Sequence, residues 1–202
     1  MEKNHFLAPW LPAPALTYCA ALWEQHQFEL RIVRPRRSRL GDFTKKPHER
    51  SRITVNSNLN PYSFLITYLH EVAHHVVYSV RYKKKIAPHG PEWKSAFQEL
   101  LGPVLSTTCF PEDVLLPLQR YALNPKASTG SDTALVQALA RYNQTLVEPN
   151  KKSLMHLSEG VNFVFQKREF IRGPLRRTRV LCVEKNSRRR YTIPAHALVE
   201  EC

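Results

Sequence analysis

NLNPYSFLITYLHEVAHHVVYSV, residues 58–80, decides how this chain is read. Asn60 can cap a helix and Pro61 can take its first position. Leu65, Leu69, Val72, Val76 and Val80 then recur three or four apart, with Tyr68 and Ala73 beside them. That spacing predicts a largely buried helix of about five turns. The same stretch also carries His70, Glu71, His74 and His75. Titratable groups in an apolar helix are costly unless they are paired or metal-bound. Residues i and i+4 share one helix face. His70 and His74, the histidines of an HExxH pattern, can therefore ligate a single zinc ion. Glu71, at the edge of that face, can act on a metal-activated water as a base rather than as a ligand.

A catalytic zinc takes three protein ligands and keeps one position open. Candidates for the third are His75, His89 and more distant residues. His75 follows His74 directly and points about 100° away around the helix, so it reads as a packing residue. His89 stands beyond the segment YKKKIAP, just before the helix expected in PEWKSAFQELLG, residues 91–102. A reversing loop between two helices would bring His89 to the metal. The nearest carboxylate, Glu92, is explained by the positive end of that second helix.

Upstream, APALTYCAALWEQHQFEL, residues 13–30, reads as an amphipathic first helix. FELRIVRP and RITVNSN read as strands of a small antiparallel sheet, joined by an arginine-rich segment with a Gly-Asp turn signal. Downstream, the prolines between 103 and 130 predict only short helical turns. SDTALVQALARYN reads as a short helix capped by Ser131, and VEPNKKS as a linker. Residues 158–202 alternate in the manner of strands and predict a small β-module.

HEVAHHVVYSVRYKKKIAPHGPEWKSAF, residues 70–97, resembles the SprT-like metallopeptidase family. That family pairs an HExxH helix with an HGxxW segment, matched here by HGPEW at 89–93. The resemblance covers roughly residues 10–120. It implies a zincin-like α+β core with a small sheet, one Zn2+ held by His70, His74 and His89, and Glu71 as catalytic acid/base. It also implies an endopeptidase, and the family includes enzymes that cleave proteins crosslinked to DNA. The expected organisation is a metallopeptidase core over 1–120, a short helix and linker over 121–157, and the β-module over 158–202. Many family members add a cysteine-rich zinc element after the core. Here Cys182 and Cys202 alone cannot build one, so the β-module is expected to fold around an apolar core without a second zinc.

Thirty Lys and Arg against 17 Asp and Glu give a net charge of +13. The excess is clustered in residues 31–52 and 167–190, which favours a polyanion partner, most simply nucleic acid. Arg36, Arg37, Arg39, Arg176 and Arg177 are the candidate contacts. The partners expected are therefore a protein substrate and DNA. No uninterrupted apolar run is long enough to span a bilayer and the N-terminus lacks a secretory pattern, so no membrane partner is expected and the expected compartment is the cytoplasm. The four cysteines are far apart, which predicts free thiols. A competing reading is a non-catalytic nucleic-acid-binding protein in which the same histidines hold a structural zinc. It leaves Glu71 without a role.

Overall fold

The computed structural model describes residues 6–45, 49–80, 87–143 and 151–202. The chain divides into two compact units, Met1–Asn143 and Gln144–Cys202. Among the described residues the fold is mixed α+β, with five α-helices and two sheets. The reversing loop and the linker read from the sequence fall largely on residues 81–86 and 144–150, outside the described residues.

The first unit opens with helix α1, Leu16–His26. It is shorter than the 13–30 expected, because Gln27 turns into the left-handed region at φ 54° and Phe28 is already buried. Strands β1 (Glu29–Val33), β2 (Gly41–Thr44) and β3 (Arg52–Asn56) follow. Their spatial order is β1-β3-β2. The expectation of an antiparallel sheet is corrected here. β2 pairs antiparallel to β3, but β1 runs parallel to it. Parallel neighbours need a crossover connection, and β2, which lies between β1 and β3 in sequence, stands on the far side of β3. The Gly-Asp pair read as a turn is the start of β2 itself.

Helix α2, Pro61–Val80, is the centre of the unit. Its first turn is capped as the sequence requires, Ser63 N–H donating to Asn60 Oδ1 at 2.9 Å. Phe64, Leu65, Tyr68, Leu69 and Val72 are fully buried. At about 25 cal/mol per Å² of apolar area, a helix so enclosed is held by packing rather than by propensity. Tyr68 Oη donates to the Cys19 carbonyl at 2.9 Å and ties α2 to α1.

Helices α3 (Pro91–Leu101), α4 (Glu112–Leu123) and α5 (Thr133–Ala140) complete the unit. A continuous α4 corrects the expectation of short turns. Pro117 sits inside it, costing one intrahelical hydrogen bond. Burial of Val114, Leu118 and Tyr121 along one side offsets that loss. The cap of α5 is Asp132, which accepts from Leu135 N–H at 3.0 Å, not Ser131. Leu135, Ala138 and Leu139 join the core, so residues assigned to an intervening segment belong to the first unit.

Among the described residues, the second unit holds a six-stranded sheet of order β4-β9-β5-β6-β7-β8. Its strands are β4 (Lys151–Ser153), β5 (Asn162–Phe165), β6 (Arg168–Arg176), β7 (Arg179–Glu184), β8 (Arg190–Pro194) and β9 (Leu198–Glu201). Every pairing is antiparallel. Phe163, Phe170, Val180, Cys182, Ile193 and Val199 alternate inward to form the core. The module thus begins at 151 instead of 158, because β4 pairs with β9 at the end of the chain.

Candidate metal centre

His70 and His74 lie one turn apart on α2, and His89 reaches them from the turn that precedes α3. His89 Nε2 is 2.9 Å from His74 Nε2 and 3.1 Å from His70 Nε2. Ligand atoms of all three lie within 4.8 Å of one another, the one such cluster of His, Cys, Asp and Glu among the described residues. The turn is held by Gly90 N–H donating to Ala87 O at 2.9 Å, and His89 sits in the left-handed region at φ 61°. Such a backbone costs about 1–3 kcal/mol in a non-glycine residue, and it aims the ring back at α2.

The donor set fits a zinc ion. Tetrahedral coordination at about 2.0–2.1 Å per Zn–N bond separates the nitrogens by about 3.3–3.4 Å, close to the two spacings observed. Hydrogen bonding alone does not account for the cluster, since a neutral imidazole nitrogen either donates or accepts. His89 Nε2 facing two others cannot serve both well. Protonation is opposed as well. Burial pushes His70 down to about 3 and His74 to about 4, each lowered further by its histidine neighbours. The rings are thus held neutral, the form that ligates a metal.

Trp93 forms the wall behind them. Its ring lies 4.6, 5.4 and 4.7 Å from those of His70, His74 and His89, and stacks on Phe97 at 5.2 Å. The indole N–H donates to the His70 carbonyl at 3.3 Å.

Glu71 is buried beside this face, against strand β2. Burial, reinforced by Asp42, raises its pKa to about 8, opposed by Arg36, by a hydrogen bond from the Phe43 backbone and by Arg39. A cleft of about 500 Å³ opens at the site, lined by His70, Glu71, His74 and His89 together with Leu40, Gly41, Phe43, Ala127 and Ser128. His75 points away, packed among His26, Phe28 and Phe43. Glu92 is not part of the cluster.

The arginines singled out from the sequence separate into groups. Arg36 Nε donates to Asn56 Oδ1 at 3.0 Å, while the Asn56 amide donates to the carbonyls of Arg36 and Arg39. Arg39 pairs with Asp42 at the cleft. Arg37 is exposed. Arg176 and Arg177 are exposed at the β6–β7 turn of the second unit. The opposite end of that sheet gathers more charge. The β5–β6 and β7–β8 turns lie together there, Lys185 N–H donating to Glu169 O at 3.0 Å. Lys167, Arg188, Arg189 and Arg190 are exposed at it. Glu184 pairs with Arg168 and Glu169 with Lys185.

Sequence reasoning missed Gly41 and Phe43, because a Gly-Asp pair in a basic segment carries a turn signal and nothing in it points to a distant helix. Among the described residues, no helix is long and apolar enough to cross a membrane. The chain matches no family model, no curated protein and no solved structure.

Proposed function

We propose that this protein is a zinc-dependent endopeptidase of the SprT-like family, with a zincin-like core in its first unit. The convergence of three imidazole nitrogens beside a buried carboxylate, at the floor of a cleft, carries the reading. His70, His74 and His89 would hold the ion, and zinc bound there would supply Lewis-acid polarisation of a water and of the scissile carbonyl. The charge of a bound ion would offset the burial that raises the pKa of Glu71, so that the carboxylate would take the water proton and deliver it to the leaving amine nitrogen. An extended peptide can lie along β2, an edge strand of its sheet.

The second unit and its exposed arginines support a nucleic-acid partner, so that cleavage falls on proteins bound or crosslinked to DNA. A purely structural zinc is less well supported. Such sites are closed by a fourth protein ligand, and none joins the three histidines among the described residues.

The test is Glu71→Gln assayed on unfolded and on DNA-crosslinked proteins. Zinc content should match the native protein while cleavage falls by at least 10²-fold, the lower range for general acid–base catalysis. Full cleavage by Glu71→Gln would refute the role of the carboxylate.

A further inference from the structure

Gly41 is half-buried against α2, where a side chain enters only if a neighbour shifts. A Cβ built there would lie 2.5 Å from Glu71 Oε1, 2.8 Å from Glu71 Cγ and 2.7 Å from Thr67 Cγ2. Ordinary contact begins near 3.4 Å. The backbone of Gly41 is not in the left-handed region, Gly160 being the glycine with positive φ among the described residues. Its conformation is therefore open to any residue, and what the position demands is space.

Strand β2 cannot yield that space. Gly41 pairs with Val55, which is fully buried. The loop leading into β2 is pinned by Asn56, itself 1% exposed, through the hydrogen bonds to Arg36 and Arg39. Asn56 N–H also donates to Leu40 O at 2.9 Å. Alternation then turns the backbone groups of Leu40 and Asp42 toward β3, and those of Gly41 and Phe43 toward the outer edge.

We propose that β2 is the seat of the Glu71 carboxylate, with Gly41 as a positioning residue that leaves the room the carboxylate fills. This rests on the endopeptidase reading, in which Glu71 must meet a water beside the three histidines. A Cβ at position 41 displaces the carboxylate by close to 1 Å, and misplacements of that size cost about 10²-fold in rate.

The experiment uses the full chain loaded with zinc. Gly41→Ala should retain zinc and lose about 10²-fold in kcat with KM nearly unchanged. A second readout needs no activity. In metal-free protein, the loss of folding equilibrium constant caused by Gly41→Ala is compared in the native and Glu71→Ala backgrounds. A seat predicts a several-fold smaller loss once the glutamate is gone. Should Gly41→Ala fail to fold, Gly41→Ala/Thr67→Ser removes the Cγ2 contact while keeping the Thr67 Oγ1 hydrogen bond to Ser63 O, and is assayed in its place. Cleavage by the native protein with undiminished cleavage by Gly41→Ala overturns the seat. Equal losses in the two metal-free backgrounds overturn it as well. A native protein that cleaves nothing refutes the endopeptidase reading instead, and the metal-free comparison still decides the seat.

Discussion

In the proposed metal site, His89→Ala removes the one ligand that does not come from α2. Its effect can be worked through in magnitude. The two Nε2 spacings of 2.9 and 3.1 Å describe a site already arranged for a metal, so binding acts on the folded form. At a thousand times its dissociation constant, zinc stabilises the fold by about 4 kcal/mol. In a unit of 143 residues that is a rise in melting temperature of roughly 12–16 °C. Losing an outer partner of a metal ligand costs about 10–100-fold in affinity, and losing a ligand costs at least the upper figure. At the same zinc concentration a 100-fold loss leaves about 1.4 kcal/mol, a rise of roughly 4–6 °C. Alanine, like histidine, carries a Cβ, so the strain of φ 61° is similar in both chains and their metal-free forms compare fairly. The assay is thermal unfolding with chelator and with zinc, followed by tryptophan fluorescence. Trp10, Trp23 and Trp93 all lie in the first unit, which the signal therefore reports alone. A His89→Ala chain with the full zinc-dependent rise would refute the three-histidine site.

Metal-free protein should be most stable near pH 6.5. His70 and His74 stay neutral down to about 3 and 4 when folded but protonate near 6.5 when unfolded, so stability falls as pH drops through that window. Glu71 has the opposite sign: its folded pKa of about 8 exceeds 4.5, so stability is lost as pH rises between them. Urea unfolding from pH 4 to 8.5 measures both limbs, and a curve still rising through pH 8 would show that Glu71 does not hold its proton. Trp93→Ala should cost about 3–5 kcal/mol in the same urea assay, and it should weaken zinc as well, because the indole backs all three histidine rings. An unchanged zinc affinity would limit Trp93 to the core. Reversing Arg188, Arg189 and Arg190 to glutamate should weaken DNA binding and flatten the slope of log affinity against log salt by at least about 2. Fluorescence anisotropy at several salt concentrations reads that slope, and no change would remove this end of the sheet from the interface.

Much of the candidate site is legible in the order of residues alone. The HExxH spacing places two imidazoles on one face by helix geometry, and Gly90 and Pro91 mark where the next helix begins. The N-terminal cap of α2 is legible for the same local reason. Expectations fail where the deciding partner is distant. Pro117 argues against a helix, but burial of Val114, Leu118 and Tyr121 outweighs one missing hydrogen bond. The Gly-Asp pair argues for a turn, but pairing with buried β3 makes it a strand.

The sequence by itself determined which face of α2 carries two imidazoles, the carboxylate beside them, and an excess of positive charge in two clusters. Helical periodicity and charge are local properties, carried in the order of residues. The tertiary structure decided that His89 meets His70 and His74, that Trp93 backs all three, and that β2 presses on Glu71 at Gly41. Apart from Trp93 on His89, four positions away, these contacts join residues 15 to 30 positions apart, and only the packing of one element on another brings such groups together.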